Sequence, residues 1–357
     1  MTRVVVAMSG GVDSSVAAAL LKQQGHEVIG VMLRLWSEPG KEGSNRCCTP
    51  DAMAIARRVA AQLEIPFYAI DARQVFYDEV VSYFLTGYSQ GITPNPCLAC
   101  NRFIRWEFLM EHARALGAEY LATGHYARLV PEPDSRKVQL LRAVDRSKDQ
   151  SYVLHVLNQE QLVHTLLPVG GIKKEHVRTL ASQFGLPSAS RPDSQDLCFL
   201  AGEDYREFIQ RHAPQSLQPG PIVDTTGRPL GTHIGLAAYT IGQRKGLGLS
   251  SAEPLYVLDK QVALNTLVVG PQDLLGSRGL LAGQVKWISG SSPADQFRAE
   301  VKIRYTASEA PASVTVLGDE KIRIVFDQPQ RIITPGQAAV LYQENLVLGG
   351  GSIECAL

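Results

Sequence analysis

Three short stretches of this chain hold residue types that could do chemistry together. The first is Ser9-Gly10-Gly11-Val12-Asp13-Ser14-Ser15. Its glycines let the backbone approach an anion closely, and the free N–H groups of a following helix would point at that anion. Ser9, Ser14 and Ser15 add hydroxyl donors, and Asp13 could cap the helix or help hold a magnesium ion. No Gly-Lys-Ser/Thr ending follows, so this is not a Walker loop. A tight turn with a capped helix is the plainer reading of a bare Gly-Gly. The full seven-residue string directly after an apolar strand favours a nucleotide phosphate site. The second stretch, Thr93-Pro94-Asn95-Pro96-Cys97-Leu98-Ala99-Cys100-Asn101, carries two cysteines at C-x-x-C spacing between stiffening prolines. Asn101 is predicted to cap a helix starting near Arg102. That would set Cys100 just before a helix N-terminus, where the dipole favours thiolate. The third, Asp193-Ser194-Gln195-Asp196-Leu197-Cys198-Phe199, holds one more cysteine.

Two chemical readings of these thiols stand side by side. In one, Cys198 carries a persulfide whose terminal sulfur attacks an activated carbon, and Cys100 then frees that sulfur by forming a disulfide. In the other, Cys97, Cys100 and Cys198 hold an iron–sulfur cluster with one iron open. Three thiolates suit a structural zinc less well, since it wants four ligands. Cys355 reads as a small buried hydrophobe. Cys47 and Cys48 are adjacent and cannot easily ligate one ion together.

The elements that must position these groups can be read from periodicity. Residues 3–8 form a β-branched strand and Asp13–Gln24 a helix stopped by Gly25. Further strands are predicted over 27–35, 66–71 and 119–123, with helices over 51–64, 72–87 and 102–116. Thr49-Pro50 marks the start of the first of these helices. Alternating strands and helices imply an α/β domain with a parallel sheet, whose ligand site lies beyond the carboxyl ends of its strands. Gly-rich, Pro-containing sequence from about residue 203 suggests a small mixed domain. Short alternating segments at 284–288, 297–304, 313–317, 321–326 and 337–348 suggest a C-terminal β-barrel or sandwich.

Bulk composition narrows the class. At 357 residues, 45% hydrophobic and 20% charged, the chain suits two or three soluble domains. No apolar run approaches the roughly 20 residues that span a bilayer, so no membrane partner and a cytoplasmic location are expected. Net charge is zero, which leaves a local basic surface open. Residues 128–148 are one such stretch, and Gln243-Arg244-Lys245 is a second candidate for phosphate contact. The six cysteines suggest metal binding or catalysis rather than structural disulfides.

The phosphate loop resembles that of the PP-loop ATP pyrophosphatases, which cleave ATP between the α and β phosphates and adenylate an oxygen. With both cysteine motifs included, the chain resembles the bacterial tRNA-specific 2-thiouridylase family over nearly its whole length. The strings that carry this are SGGVDSSV (9–16), TPNPCLACN (93–101), ATGHYAR (122–128), KDQSYVL (148–154), DSQDLCF (193–199) and HIGLAAYTIGQRKGLG (233–248). The resemblance implies a Rossmann-like PP-loop domain over 1–202, a small central tRNA-contacting domain over 203–275 and a β-barrel-like domain over 276–357. It implies ATP-dependent 2-thiolation of a wobble uridine in tRNA, with release of AMP and pyrophosphate. ATP and magnesium would be required, and the iron–sulfur alternative stays open. The partners would be tRNA and a sulfur donor, either a cysteine desulfurase or a sulfur-relay protein.

By motif, the resemblance assigns Cys100 as nucleophile and Cys198 as persulfide carrier, the two ending as a disulfide bond. Ala7, Met8, Ser9, Gly10, Gly11, Val12, Asp13 and Ser14 would bind ATP, with Leu33 and Gly124 at its adenosine. Asn95, Pro96 and Cys97 would meet the target base. His125, Lys148, Asp149, Gln150, Arg304, Tyr305 and Gln337 would contact tRNA. Some relatives carry an aspartate with acid–base work where this chain has Cys97. A thiol could replace it as proton shuttle or serve as a cluster ligand. Two other enzymes of the superfamily remain alternatives: an amidotransferase-type synthetase, for which no glutaminase-like segment is visible, and a sulfur-carrier enzyme acting elsewhere on tRNA.

Overall fold

A computed structural model describes residues 1–41, 49–133, 135–193, 197–318 and 320–357. Cys47 and Cys48 therefore lie outside the described residues, as do Ser194, Gln195 and Asp196 of the third motif. Val4, Val5 and Val6 are wholly buried in β1 (Arg3–Ala7), as expected of a strand covered on both faces. Strands β2 (Glu27–Arg34), β3 (Phe67–Asp71) and β4 (Tyr120–Ala122) follow. After a hairpin of β5 (Ala127–Pro131) and β6 (Val138–Arg142) comes β7 (Thr165–Leu166). The parallel sheet runs β3-β2-β1-β4-β7. Helices α1 (Val12–Gln23) and α2 (Pro50–Gln62) pack on it. Thr49 Oγ1 accepts the Ala52 amide at 3.0 Å, the cap that Thr49-Pro50 foretells.

One predicted helix start is corrected. The helix expected from about Arg102 begins at Pro96, with Asn95 as its cap accepting the Cys97 amide at 3.2 Å. Asn-Pro is the same start signal as Thr49-Pro50, a capping side chain before proline at the first helical position. Asn101 caps nothing. It is buried, donates to the Val153 carbonyl at 3.0 Å and accepts from Arg105 at 2.6 Å. Cys100 thus sits in the second turn, so the dipole argument applies to Cys97 instead. From Cys100 to Leu109 the helix widens to π geometry, then resumes α geometry to Ala115.

The central unit has a helix, Tyr205–His212, and four strands: β8 (Gly220–Val223), β9 (Pro229–His233), β10 (Tyr256–Gln261) and β11 (Thr266–Gly270). Their order is β10-β11-β8-β9. The C-terminal unit is a closed barrel of β12 (Gly276–Trp287), β13 (Gln296–Lys302), β14 (Ala310–Gly318), β15 (Lys321–Arg331), β16 (Ala338–Gln343) and β17 (Leu346–Ala356). Pairing of β12 with β17 completes the ring. The segment predicted as one strand over 337–348 is a hairpin that turns at Glu344, whose φ is 53°. Cys355, expected to be buried, is exposed. A register shift between Leu281 and Ala282 breaks the alternation of β17, so Cys355 does not follow Ile353 into the core.

Two features join the barrel to the first unit. The hairpin β5–β6, which the sequence suggested as a basic RNA-contacting stretch, extends the barrel sheet beside β17 through Leu141 and Leu346. Arg142 is buried there, stacked 3.7 Å over the Tyr342 ring and paired with Glu309. The turn before β16 holds the backbone that leads into the C-x-x-C segment. The Thr93 amide donates to Pro335 O at 2.9 Å, and Gln337 Nε2 donates to Thr93 O at 2.9 Å.

Candidate active site

The phosphate loop closes on itself through its own serines. The Ser9 amide donates to Ser14 Oγ at 3.2 Å, and Ser15 Oγ donates to Gly11 O at 2.8 Å. No side chain caps Gly11 at the start of α1, which leaves the helix's first N–H groups to a ligand. Gly10 lies at φ +73°, and a Cβ there would sit 2.4 Å from Ala52 O, so glycine lets the loop press on α2.

The loop opens into a cleft of about 1440 Å³ beyond the carboxyl ends of β1, β2 and β4. Ligand pockets are typically about 300–1,000 Å³, so there is room for a nucleotide and a further group beside it. Ala7, Met8, Ser9, Gly11, Val12, Asp13, Ser14, Leu33 and Gly124 line it, and so do Cys100, His125, Lys148, Gln150 and Tyr305. The remaining predicted residues are placed elsewhere. Asn95 caps its helix and Pro96 is buried. Asp149 is buried, accepting from the Ala143 amide at 2.8 Å and the Ser151 hydroxyl at 2.7 Å. Gln337 is engaged with Thr93, and the half-buried Arg304 has an Nε without a partner.

Cys100 is buried at the cleft wall, whereas Cys97, on the preceding turn, is exposed. Five-residue spacing in the π stretch brings Arg105 to the cleft on the side of Cys100. Cys198 is half-buried and does not line the cleft. It packs against the aromatic cluster of Phe76, Phe84, Phe199 and Phe208, to which Cys100 also belongs. Among the described residues no three His, Cys, Asp or Glu side chains converge to hold a metal ion. Cys97, Cys100 and Cys198 are therefore not gathered as a ligand set, Cys97 being exposed and Cys100 buried. The Asp13 carboxylate accepts Lys174 Nζ at 2.6 and 2.7 Å and the Tyr126 hydroxyl at 2.7 Å. These donors satisfy the carboxylate in the ligand-free chain.

His125 sits between Thr123 Oγ1, 2.7 Å from Nδ1, and Arg105 Nη1, 3.1 Å from Nε2. A guanidinium can only donate, so Nε2 accepts and Nδ1 carries the proton. Burial, with the Arg105 charge adding to it, holds His125 well below the ordinary histidine range. His155 is likewise lowered to about 4 by burial, against the upward pull of the Tyr152 carbonyl. The unfolded chain takes up these protons near pH 6.5 and the folded chain resists, so the unfolded state binds more protons below that value. This stability is fully present above about pH 6.5 and is lost as pH falls through about 4. Urea midpoints should fall across that window, and His155→Gln should flatten part of the slope. An identical slope in both proteins would contradict this assignment.

Sequence reasoning missed Lys174, Arg105, Tyr126 and Arg191, all of which line the cleft. A signal for Lys174 existed. Lys173-Lys174 opens the helix Lys174–Gln183, and cations at a helix N-terminus oppose its dipole. The cost is offset by Asp145, which accepts the Lys174 amide at 3.0 Å, and by carboxylates around Nζ. Asp193 accepts Lys148 at 2.8 Å, Lys174 at 3.1 Å and Arg178 at 2.6 Å. Burial alone would raise its pKa, but the lysines hold it at about 2.

Comparison with known proteins identifies the family. The model described as tRNA methyl transferase HUP domain matches residues 2–202. The tRNA methyl transferase PRC-barrel domain matches 206–271, and the aminomethyltransferase beta-barrel domain matches 277–353. Curated relatives named tRNA-specific 2-thiouridylase MnmA align end to end. The one from Moorella thermoacetica is 49% identical, over 98% of this chain and 99% of its own. The one from Roseiflexus castenholzii is 46% identical, over 99% of each. The one from Clostridioides difficile is 44% identical, again over 99% of each. With a phosphate loop and a buried thiol on one cleft, three matched domains and full-length relatives, this chain belongs to the tRNA-specific 2-thiouridylase family.

Proposed function

We propose that this chain uses ATP to replace the 2-oxygen of a tRNA uridine, at the wobble position, with sulfur. The observation that carries the reading is that the Cys100 thiol and the phosphate loop line one cleft. The 2-oxo group of uracil is amide-like and leaves poorly. Transfer of AMP to that oxygen, with departure of pyrophosphate, turns it into a good leaving group. N–H donors at the start of α1 stabilise the phosphate charge. The terminal sulfur of a Cys198 persulfide, loaded by a sulfur-donor protein, attacks C2 and expels AMP. The Cys100 thiolate then attacks the Cys198 sulfur. The S–S bond to the new thiocarbonyl breaks, 2-thiouridine leaves, and a Cys100–Cys198 disulfide remains for an external thiol to reduce. Membership of one aromatic cluster supports this pairing of the two cysteines. Flipping the base out costs a few kcal/mol, which tRNA contacts through Lys148, Gln150 and Tyr305 at the cleft would offset.

Isotope tracing tests the adenylation step. With tRNA labelled by ¹⁸O at uridine O2, a sulfur donor and ATP, the released AMP should carry the label, one AMP per 2-thiouridine. Unlabelled AMP, or thiouridine at another ring position, would reject the reading. No described helix is long and apolar enough to cross a membrane.

A further inference from the structure

We propose that the barrel turn Pro335-Gly336-Gln337 sets the place of the Cys100 thiol, with Gly336 and Gln337 as positioning residues for the step that frees the sulfur. The proposal rests on the thiolation reading and names what fixes the geometry of that step. The turn is fastened to the barrel itself. The Gly336 amide donates to Ile353 O at 2.9 Å, and the Ile353 amide donates to Gln337 O at 2.8 Å. Against the turn lies the backbone of Thr93, which leads toward Cys100. The Thr93 amide donates to Pro335 O at 2.9 Å, and Gln337 Nε2 donates to Thr93 O at 2.9 Å. The barrel thus holds both the amide and the carbonyl of Thr93. Gly336 lies at φ +89°, and a Cβ there would stand 2.9 Å from Thr93 O and 3.0 Å from Thr93 C, so glycine is what admits this close approach.

The stretch from Thr93 to Cys100 transmits that position rather than absorbing it. Pro94 and Pro96 fix their own φ, and each restricts the residue before it to extended backbone. Asn95 accordingly lies at φ −110° and ψ 94°. Its side chain accepts the Cys97 amide at 3.2 Å, which ties this strut to the helix bearing Cys100. Sideways relief is closed as well. Pro94 is buried, and its ring lies so near Gly87 of the helix Ser82–Ser89 that a Cβ on Gly87 would meet it at 2.8 Å. A push on Thr93 therefore travels toward the cysteines. The barrel also lends Tyr305 to the cleft that Cys100 lines. One barrel then governs both the thiol and a side chain facing the incoming base, and a misplacement of about 1 Å can cost about a hundredfold in rate.

Single-turnover kinetics of the full chain at saturating tRNA test this. Gly336→Ala should slow the appearance of free 2-thiouridine about tenfold or more, while AMP formation and the Kd for tRNA stay within about twofold. Gln337→Leu, which removes only the Nε2 donor, should act in the same direction by about threefold or more. A second reading needs neither tRNA nor ATP. With the disulfide-forming oxidant diamide, mass spectrometry should show the Cys100–Cys198 disulfide forming more slowly in both variants. Weaker tRNA binding with an unchanged rate at saturation would make the turn a tRNA contact and overturn the proposal. Equal loss of AMP and 2-thiouridine, or no change in either, overturns it too. Should Gly336→Ala misfold, Gln337→Leu decides by the same readings. A chain that passes the diamide test yet makes no 2-thiouridine would cost the substrate assignment and not the role of the turn.

Discussion

Cys100→Ser is expected to abolish thiolation, by on the order of 10³-fold or more in a single-turnover assay, while AMP formation persists. Serine keeps the size of the side chain but cannot form the disulfide that frees the sulfur. The thiol is buried on the cleft wall and is not needed to hold the phosphate loop, whose contacts run through its own serines. Nucleotide chemistry and sulfur release should therefore separate cleanly. Cys198→Ser should lose thiolation equally, since without that sulfur no persulfide can be carried. Mass spectrometry of digested tRNA reads both results. Full product from either variant would end the sulfur-relay mechanism.

Gly124→Ala is expected to raise the Kd for ATP by about tenfold or more and to cost about 1–3 kcal/mol of stability. A Cβ at residue 124 would stand 2.6 Å from the Ser14 amide nitrogen and 2.8 Å from the Asp13 carbonyl carbon. Both are backbone atoms, so the first turn of α1 must move, and that turn is the proposed anion site. Gly11→Ala is an internal control of milder effect, because its added Cβ would meet only the Ser9 hydroxyl at 3.3 Å. Titration with ATP and denaturant midpoints measure both. A Gly124→Ala chain that binds ATP normally would show that β4 and α1 can separate freely here.

What was legible in the sequence follows the range of the forces involved. The β-branched run before the phosphate loop, the helix stop at Gly25 and the Thr49-Pro50 start are local signals, and all three hold. Asn95-Pro96 is just as local but was outweighed by the polar pair Asn101-Arg102, which misplaced the helix start and with it the dipole argument for Cys100. Asn101 is polar for another reason: it satisfies the Val153 carbonyl, 52 residues away. The commitment of Asp13 to Lys174, 161 residues on, could not be read from either motif alone. Only the dipole violation at Lys173-Lys174 pointed there. The bond from Gln337 to the Thr93 carbonyl, 244 residues away, is likewise recorded in no motif. The basic stretch 128–148 was visible, but the attachment of its β5–β6 hairpin to the barrel rests on long-range pairing that no window of sequence records.

That attachment means the first and last parts of the chain share one interior. Leu140, Tyr152 and Leu154 pack with Ala338, Val340, Tyr342 and Val347, and the Tyr152 hydroxyl donates to the Ala338 carbonyl. A polypeptide that stopped before residue 276 would have every motif named above, yet β6 would be left as a bare apolar edge of the kind that templates aggregation. The barrel is thus no detachable accessory to the enzyme's front half. A nonsense codon late in the reading frame should be as ruinous as an early one, and recombination that swapped barrels between distant relatives would have to carry the hairpin along.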